Sequence, residues 1–262
     1  MSQPTIKEAN PFPVLELCQA TAGARLDPGV VLAADVNWTV NCGEYWVVAG
    51  EQHAGKTDLL MLAAGLLPPV TGTCHLFGMD ARQLDEHRIA ERLRVGLVFE
   101  DGQLFPELTL LQNIALPLQY HRNLSAEEVV RVLEPLLDRM ELTPLAGRRP
   151  AELSRNWRKR AGLARALVME PELLLLDNPL HGLGASHRQW WLKFLDELHR
   201  ERSLTVVLAT DDLRPWAGDE RRRFALLHEG VFSPAGGWAE LCRTHARTVA
   251  ALQAGAETAT AN

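Results

Sequence analysis

Cysteine is sparse in this chain of 262 residues: Cys18, Cys42, Cys74 and Cys242 stand far apart, and no pair has CxxC spacing. That scatter argues against a disulfide framework or a cluster of zinc-binding thiolates, and it predicts free thiols in a reducing compartment. Long apolar runs are also missing, since none approaches the roughly 18 residues that a membrane-spanning helix takes. The opening MSQPTIKEAN lacks the basic-then-apolar order of a secretory leader. Positive charge is not in excess: 27 Lys and Arg face 33 Asp and Glu, a net charge of −6, which argues against nucleic acid as a partner held by bulk electrostatics. No internal repeat is visible. These absences predict a cytoplasmic location.

What is present is the composition of a globular chain, 47% hydrophobic and 23% charged, long enough to bury a large core. Short apolar runs alternate with amphipathic stretches. Strands are predicted at 14–18, 45–49, 74–77, 95–99, 172–177, 205–210 and 223–228, and helices at 57–66, 126–140, 155–168, 187–201 and 237–251. Ser125 and Glu128 form a capping box for the second of these helices. Strands separated by helices imply an α/β fold with a parallel sheet and crossover connections. The interval of about 80–170 is richer in helix and is assigned to an inserted helical subdomain within one domain over 1–252; the small, polar residues 253–262 are expected to form a disordered tail.

Two motifs carry chemistry. The first is GEQHAGKT, Gly50, Glu51, Gln52, His53, Ala54, Gly55, Lys56 and Thr57, placed between the YWVVA strand and a helix. In that context backbone N–H groups and a helix N-terminus cradle phosphates, a lysine reaches the outer phosphates, and a hydroxyl binds magnesium. The second is ELLLLD, a buried strand that delivers Asp177 to the C-terminal edge of the sheet, where Mg2+ would sit beside Thr57. MgATP is the expected ligand.

With these motifs in place the chain resembles the ATP-binding subunits of ABC transporters over nearly its whole length. The resemblance implies a P-loop NTPase of ABC-ATPase type: a mostly parallel sheet core with an antiparallel β subdomain and a helical subdomain. It also implies a second ATPase subunit, identical or different, a membrane permease docked beside residues 100–121, and a peripheral position on the inner face of the cell membrane. The run FEDGQLFPELTLLQNIALPL at 99–118 and RKRAGLARAL at 158–167 are similar to those of Mla-type ATPases, which power phospholipid transport with MCE-domain proteins; the other importers share much of this pattern. Lipid or another hydrophobic substrate is the expectation that follows.

Where that family has a glutamine after the strand at 95–99, an LSGGQ signature, a glutamate after the Walker B aspartate and a histidine ending the late strand, this chain has Glu100, LSRNW from Leu153 to Trp157, Asn178 and Asp211. His53 replaces a loop glycine, Gly184 an aspartate, and no aromatic lies near Thr21 to Ala24 to stack on adenine. The resemblance assigns Asn178, Glu100 and Asp211 to catalytic positions, Thr57, Asp177 and Glu100 to the metal, and Ser154 and Arg155 to the nucleotide of the opposite subunit. Asn178 cannot act as a general base, which costs on the order of 100-fold in rate where a carboxylate does that work. Asp211 sets a carboxylate beside an anionic phosphate, or else caps a helix beginning at Asp212. Arg155 either neutralises Glu100 or Asp211 across the dimer or is a solvated arginine at a helix start. The substitutions describe either a rebuilt ATP site or an abandoned one, so a transporter ATPase and a catalytically inactive platform both stand. His181, His187 and the arginines at 148–149 and 221–223 are read as surface residues, and Trp190 and Trp191 as one surface contact and one core contact.

Overall fold

The computed structural model describes residues 12–27, 29–84, 88–122 and 124–254. Its strands are β1 (Leu15–Gly23), β2 (Val31–Val40), β3 (Tyr45–Ala49), β4 (Thr73–Leu76), β5 (Met79–Asp80), β6 (Val95–Val98), β7 (Leu173–Asp177), β8 (Thr205–Thr210), β9 (Arg222–His228) and β10 (Val231–Gly236), joined in the order β5-β4-β1-β2-β10-β9-β3-β8-β7-β6. The helices are α1 (Lys56–Ala63), α2 (Ile89–Arg92), α3 (Leu110–Arg122), α4 (Ala126–Arg139), α5 (Arg155–Leu167), α6 (Ala185–Arg202), α7 (Trp238–Thr244) and α8 (Ala246–Ala254). Strands β9, β3, β8, β7 and β6 run parallel, whereas β1 pairs antiparallel with both β2 and β4. The predicted α/β architecture with its antiparallel portion is therefore present.

The central strands YWVVA, LLLLD and TVVLAT are buried at every position, the pattern of a sheet covered on both faces. Side chains alternate between two cores: Val47, Leu174, Leu176, Val206 and Leu208 face one side with α3 to α8, while Val48, Leu173, Leu175 and Val207 face the other with α1 and the β1–β2 hairpin. This alternation sends Asp177, in phase with Leu173 and Leu175, toward the side that holds α1. No helix among the described residues is long and apolar enough to cross a membrane.

Several sequence-based boundaries need correction. Strand β2 was not predicted, and its residue Asp35, at φ 50°, and the shifts of register against β1 show the irregularity that hides its alternation. Strand β10 contains Pro234 and ends on Gly236, residues that argue against a strand in sequence. Helix α3 carries Pro117 in its interior. The helix predicted at 237–251 is two helices, because His245 leaves helical backbone at φ −130°, ψ 37°. Within the helix-rich interval 80–170, β6 belongs to the main sheet through its pairing with β7. Of the tail expected at 253–262, Gln253 and Ala254 end α8, and residues 255–262 lie outside the described residues. The Ser125–Glu128 capping box is formed in both directions.

Candidate nucleotide site

The phosphate loop leaves β3 and turns into α1, with α1's N-terminus facing a cavity of about 420 Å3. The loop needs left-handed backbone at His53 (φ 64°) and Gly55 (φ 92°). At Gly55 a Cβ would also lie 2.8 Å from Leu32 Cβ, so glycine is dictated there twice. Inside the loop Lys56 Nζ donates to the carbonyls of Gly50, at 2.9 Å, and Glu51, at 2.6 Å. Burial pushes the Lys56 ammonium down from its ordinary range, and Asp211, Asp177 and Glu100 pull it back.

Asp177, the last residue of β7, accepts a 2.7 Å hydrogen bond at Oδ2 from Thr57 Oγ1. Burial raises the Asp177 carboxyl and the hydroxyl of Thr57 opposes that rise. A hydroxyl and a carboxylate side by side are hard oxygen donors that suit Mg2+, an ion that keeps several waters and takes phosphate oxygens besides. Among the described residues no group of three His, Cys, Asp or Glu forms a self-sufficient metal cage, as that mode of binding requires none. Glu100 lines the same cavity, with its carboxylate 3.7 Å from His181 Nε2.

Past Asp177 the chain turns through Asn178 at φ 43°, a left-handed conformation that asparagine adopts more readily than most residues. Its Oδ1 accepts from the backbone N–H of Asp211 at 3.2 Å, and its own N–H donates to Ala209 O. Asn178 thus ties the β7 and β8 loops together. No helix begins at Asp212 for Asp211 to cap: the next helical turn is the 3-10 turn Arg214–Trp216, and ahead of it Asp212 accepts from Arg214 N and pairs with the Arg214 guanidinium.

His181, read as a surface residue, lines the cavity, with Nδ1 3.6 Å from Asp211 Oδ2 and Nε2 3.7 Å from Glu100 Oε1. Sequence gives no signal for this, because its two partners are 81 and 30 positions away by number and meet it only at the sheet edge. Lys159 was also missed. Its Nζ, on the buried face of α5, donates to Asn178 O at 2.8 Å. Burial lowers its ammonium to about 8, with Glu100 and Asp101 pulling upward.

The signature residues Ser154 and Arg155 begin α5 away from the phosphate loop. Ser154 is exposed at the N-cap and accepts no capping hydrogen bond among the described residues. Arg155 Nε stands 3.4 Å from Asp101 Oδ1 of its own chain and packs over Gly182. His187 meets Trp157 edge-on, and Trp191 is fully buried beside half-buried Trp190. Arg222 is not a surface residue: it is buried over Tyr45 and Trp216, paired to Asp196 at 2.9 Å. Arg148 and Arg221 do lie at the surface, paired with Glu152 and Asp219.

Residues 33–181 match the family described as ABC transporter. The chain is 34% identical over 202 residues to the spermidine/putrescine import ATP-binding protein PotA of Protochlamydia amoebophila, covering 77% of this chain and 52% of that protein. It is 34% identical over 210 residues to the sulfate/thiosulfate import ATP-binding protein CysA of Pectobacterium atrosepticum, covering 79% and 62%. A probable sulfate/thiosulfate import ATP-binding protein of Chlorella vulgaris is 36% identical over 206 residues, 79% of this chain and 85% of that one. Among solved structures, the ATP-binding cassette MJ0796, a dimer bound to ADP and Pi in a post-hydrolysis state, superimposes with a TM-score of 0.75 at 26% identity, covering 85% of this chain and 99% of that one. The chain spans 52% and 62% of the length of the first two relatives. With the family match over residues 33–181 and relatives at 34–36% identity, this chain belongs to the ABC transporter family as an ATP-binding domain.

Proposed function

We propose that the chain is the nucleotide-binding subunit of a membrane transporter and binds MgATP in the cavity between the phosphate loop and the ends of β7 and β8. The observation that carries this reading is the Thr57–Asp177 hydrogen bond at the mouth of a loop whose Lys56 sits at the helix N-terminus. Gly50 to Thr57 hold the phosphates, Thr57, Asp177 and Glu100 face the magnesium side, and Mg2+ when bound supplies charge neutralisation for the phosphates. Ala24 and Leu32 offer an aliphatic wall where an aromatic would stack on the base. Ser154 and Arg155 present the opposite edge to a second ATPase subunit, as the dimeric MJ0796 cassette supports. A permease would dock in a 570 Å3 apolar groove lined by Leu97, Phe105, Leu116 and Tyr120, of which Phe105 and Tyr120 are exposed. That arrangement supports a peripheral position at the cytoplasmic face of a membrane.

The permease chooses the cargo. The names of the relatives favour import of a small polar solute such as sulfate or a polyamine over the lipid substrate and MCE-domain partner suggested by residues 99–118. A catalytically inactive platform is favoured by one observation: Asn178, an amide with no basic group, uses its side-chain oxygen to accept from Asp211 N as a structural tie between two loops. Phosphate release from ATP by the purified chain, with Lys56→Ala as control, separates the two. Turnover abolished by Lys56→Ala supports the ATPase; tight ATP binding with no turnover supports the platform.

A further inference from the structure

The cavity poses an electrostatic problem that the phosphate loop does not solve. Asp58, Glu100, Asp177 and Asp211 line it, and Lys56 is the one lysine or arginine among its lining residues. Lys56 Nζ is drawn back onto the loop carbonyls of Gly50 and Glu51. Just past the end of β8, Asp211 adds a further carboxylate to this edge of the cavity.

We propose that His181 supplies the donor that reads the terminal phosphate of a bound triphosphate; this rests on the MgATP reading. The geometry has a local cause. The left-handed turn at Asn178, the hydrogen bond from His181 N to Asn178 O at 3.1 Å and the left-handed Gly182 at φ 71° fold the segment back over the sheet edge. The imidazole is thereby brought between two loops, with Asp211 at 3.6 Å on its Nδ1 side and Glu100 at 3.7 Å on its Nε2 side. Both separations exceed a hydrogen bond, so the ring is held between the carboxylates without being committed to either. The neutral ring has one N–H: the Nδ1–H tautomer would spend it on the Asp211 side, so the donor role falls to the Nε2–H tautomer. His181 is 39% exposed at its side chain, on the cavity wall, and so remains accessible to a phosphate oxygen.

The test is equilibrium binding of a non-hydrolysable ATP analogue and of ADP, each with Mg2+, to the full chain and to His181→Ala, His181→Gln and His187→Ala. His181→Ala is expected to weaken the ATP analogue about tenfold while ADP affinity stays within about twofold, because only the third phosphate reaches the ring. His181→Gln keeps part of the affinity through its amide N–H, and its thermal melt covers the case in which the alanine variant does not fold. His187→Ala, which sits against Trp157 outside the cavity, leaves both affinities unchanged. Equal effects on ADP and the ATP analogue, or no effect on either, overturn the role of His181. Failure of the unmodified chain to bind either nucleotide overturns the MgATP reading itself.

Discussion

Thr57 and Asp177 are 120 positions apart in the chain, yet a 2.7 Å hydrogen bond joins the hydroxyl of one to the carboxylate of the other. The strand phase of β7 and the start of α1 meet at the same edge of the sheet, so the two oxygen donors are set side by side before any ligand arrives. The hydroxyl beside this buried carboxylate opposes the burial that raises its pKa.

Thr57→Val removes that hydroxyl at nearly constant shape. Stability should fall by about 1–2 kcal/mol as Asp177 loses its partner. The gain in ATP-analogue affinity on adding Mg2+ should shrink about tenfold or more, while Thr57→Ser keeps it within about twofold. Calorimetric titration with and without Mg2+ reads both effects, and an unchanged Mg2+ dependence in Thr57→Val would count against the metal assignment.

Asn178→Glu supplies the missing base at a position whose backbone is left-handed at φ 43°. Turnover should rise by on the order of 100-fold if proton abstraction limits it, at a stability cost of about 1 kcal/mol from the strained backbone and the lost contact to Asp211 N. Phosphate release and urea unfolding measure the two; unchanged turnover would show that the absence of a base at this position is not what limits the chain.

Lys159 predicts an alkaline signature. Its folded pKa of about 8 lies below the ordinary 10.5, so the unfolded chain binds the proton more tightly between those values. The folded state carries the full cost of the charge below about pH 8, and stability rises as pH climbs from 8 toward 10.5. The gain is at most on the order of 3 kcal/mol. Cys74 and Tyr45, whose pKa values burial pushes up, act in the opposite direction, so the informative quantity is the difference from Lys159→Met. That variant leaves Asn178 O still bonded to His181 N. Parallel pH profiles for the two chains would refute the assignment.

Gly162 of α5 faces Gly102, and a Cβ on it would lie 2.7 Å from Gly102 Cα. Gly162→Ala gains helix propensity worth about 1 kcal/mol but forces backbone apart. A net loss of roughly 1–2 kcal/mol is expected, read by thermal melting. A more stable variant would mean that the loop after β6 yields freely.

The sequence by itself determined the chemistry of the phosphate loop and the identity of the sheet core. GEQHAGKT between an apolar strand and a helix, and the uninterrupted LLLLD and TVVLAT runs, are local patterns whose periodicity and spacing reflect burial on both faces of a parallel sheet. Elements that break local rules escaped it: β2 with its register shifts, β10 with Pro234, and α3 with Pro117. Only the tertiary structure decided which residues meet at the cavity. Glu100, His181 and Asp211 come from three separate loops, and Lys159 reaches the Asn178 carbonyl from a fourth segment. Their meeting depends on the strand order at the sheet edge and on two left-handed turns, neither of which is written in the spacing of those residues. The fold therefore sets exposed His181 on the wall of the cavity beside the phosphate loop, and buries Arg222 where a solvated face was expected.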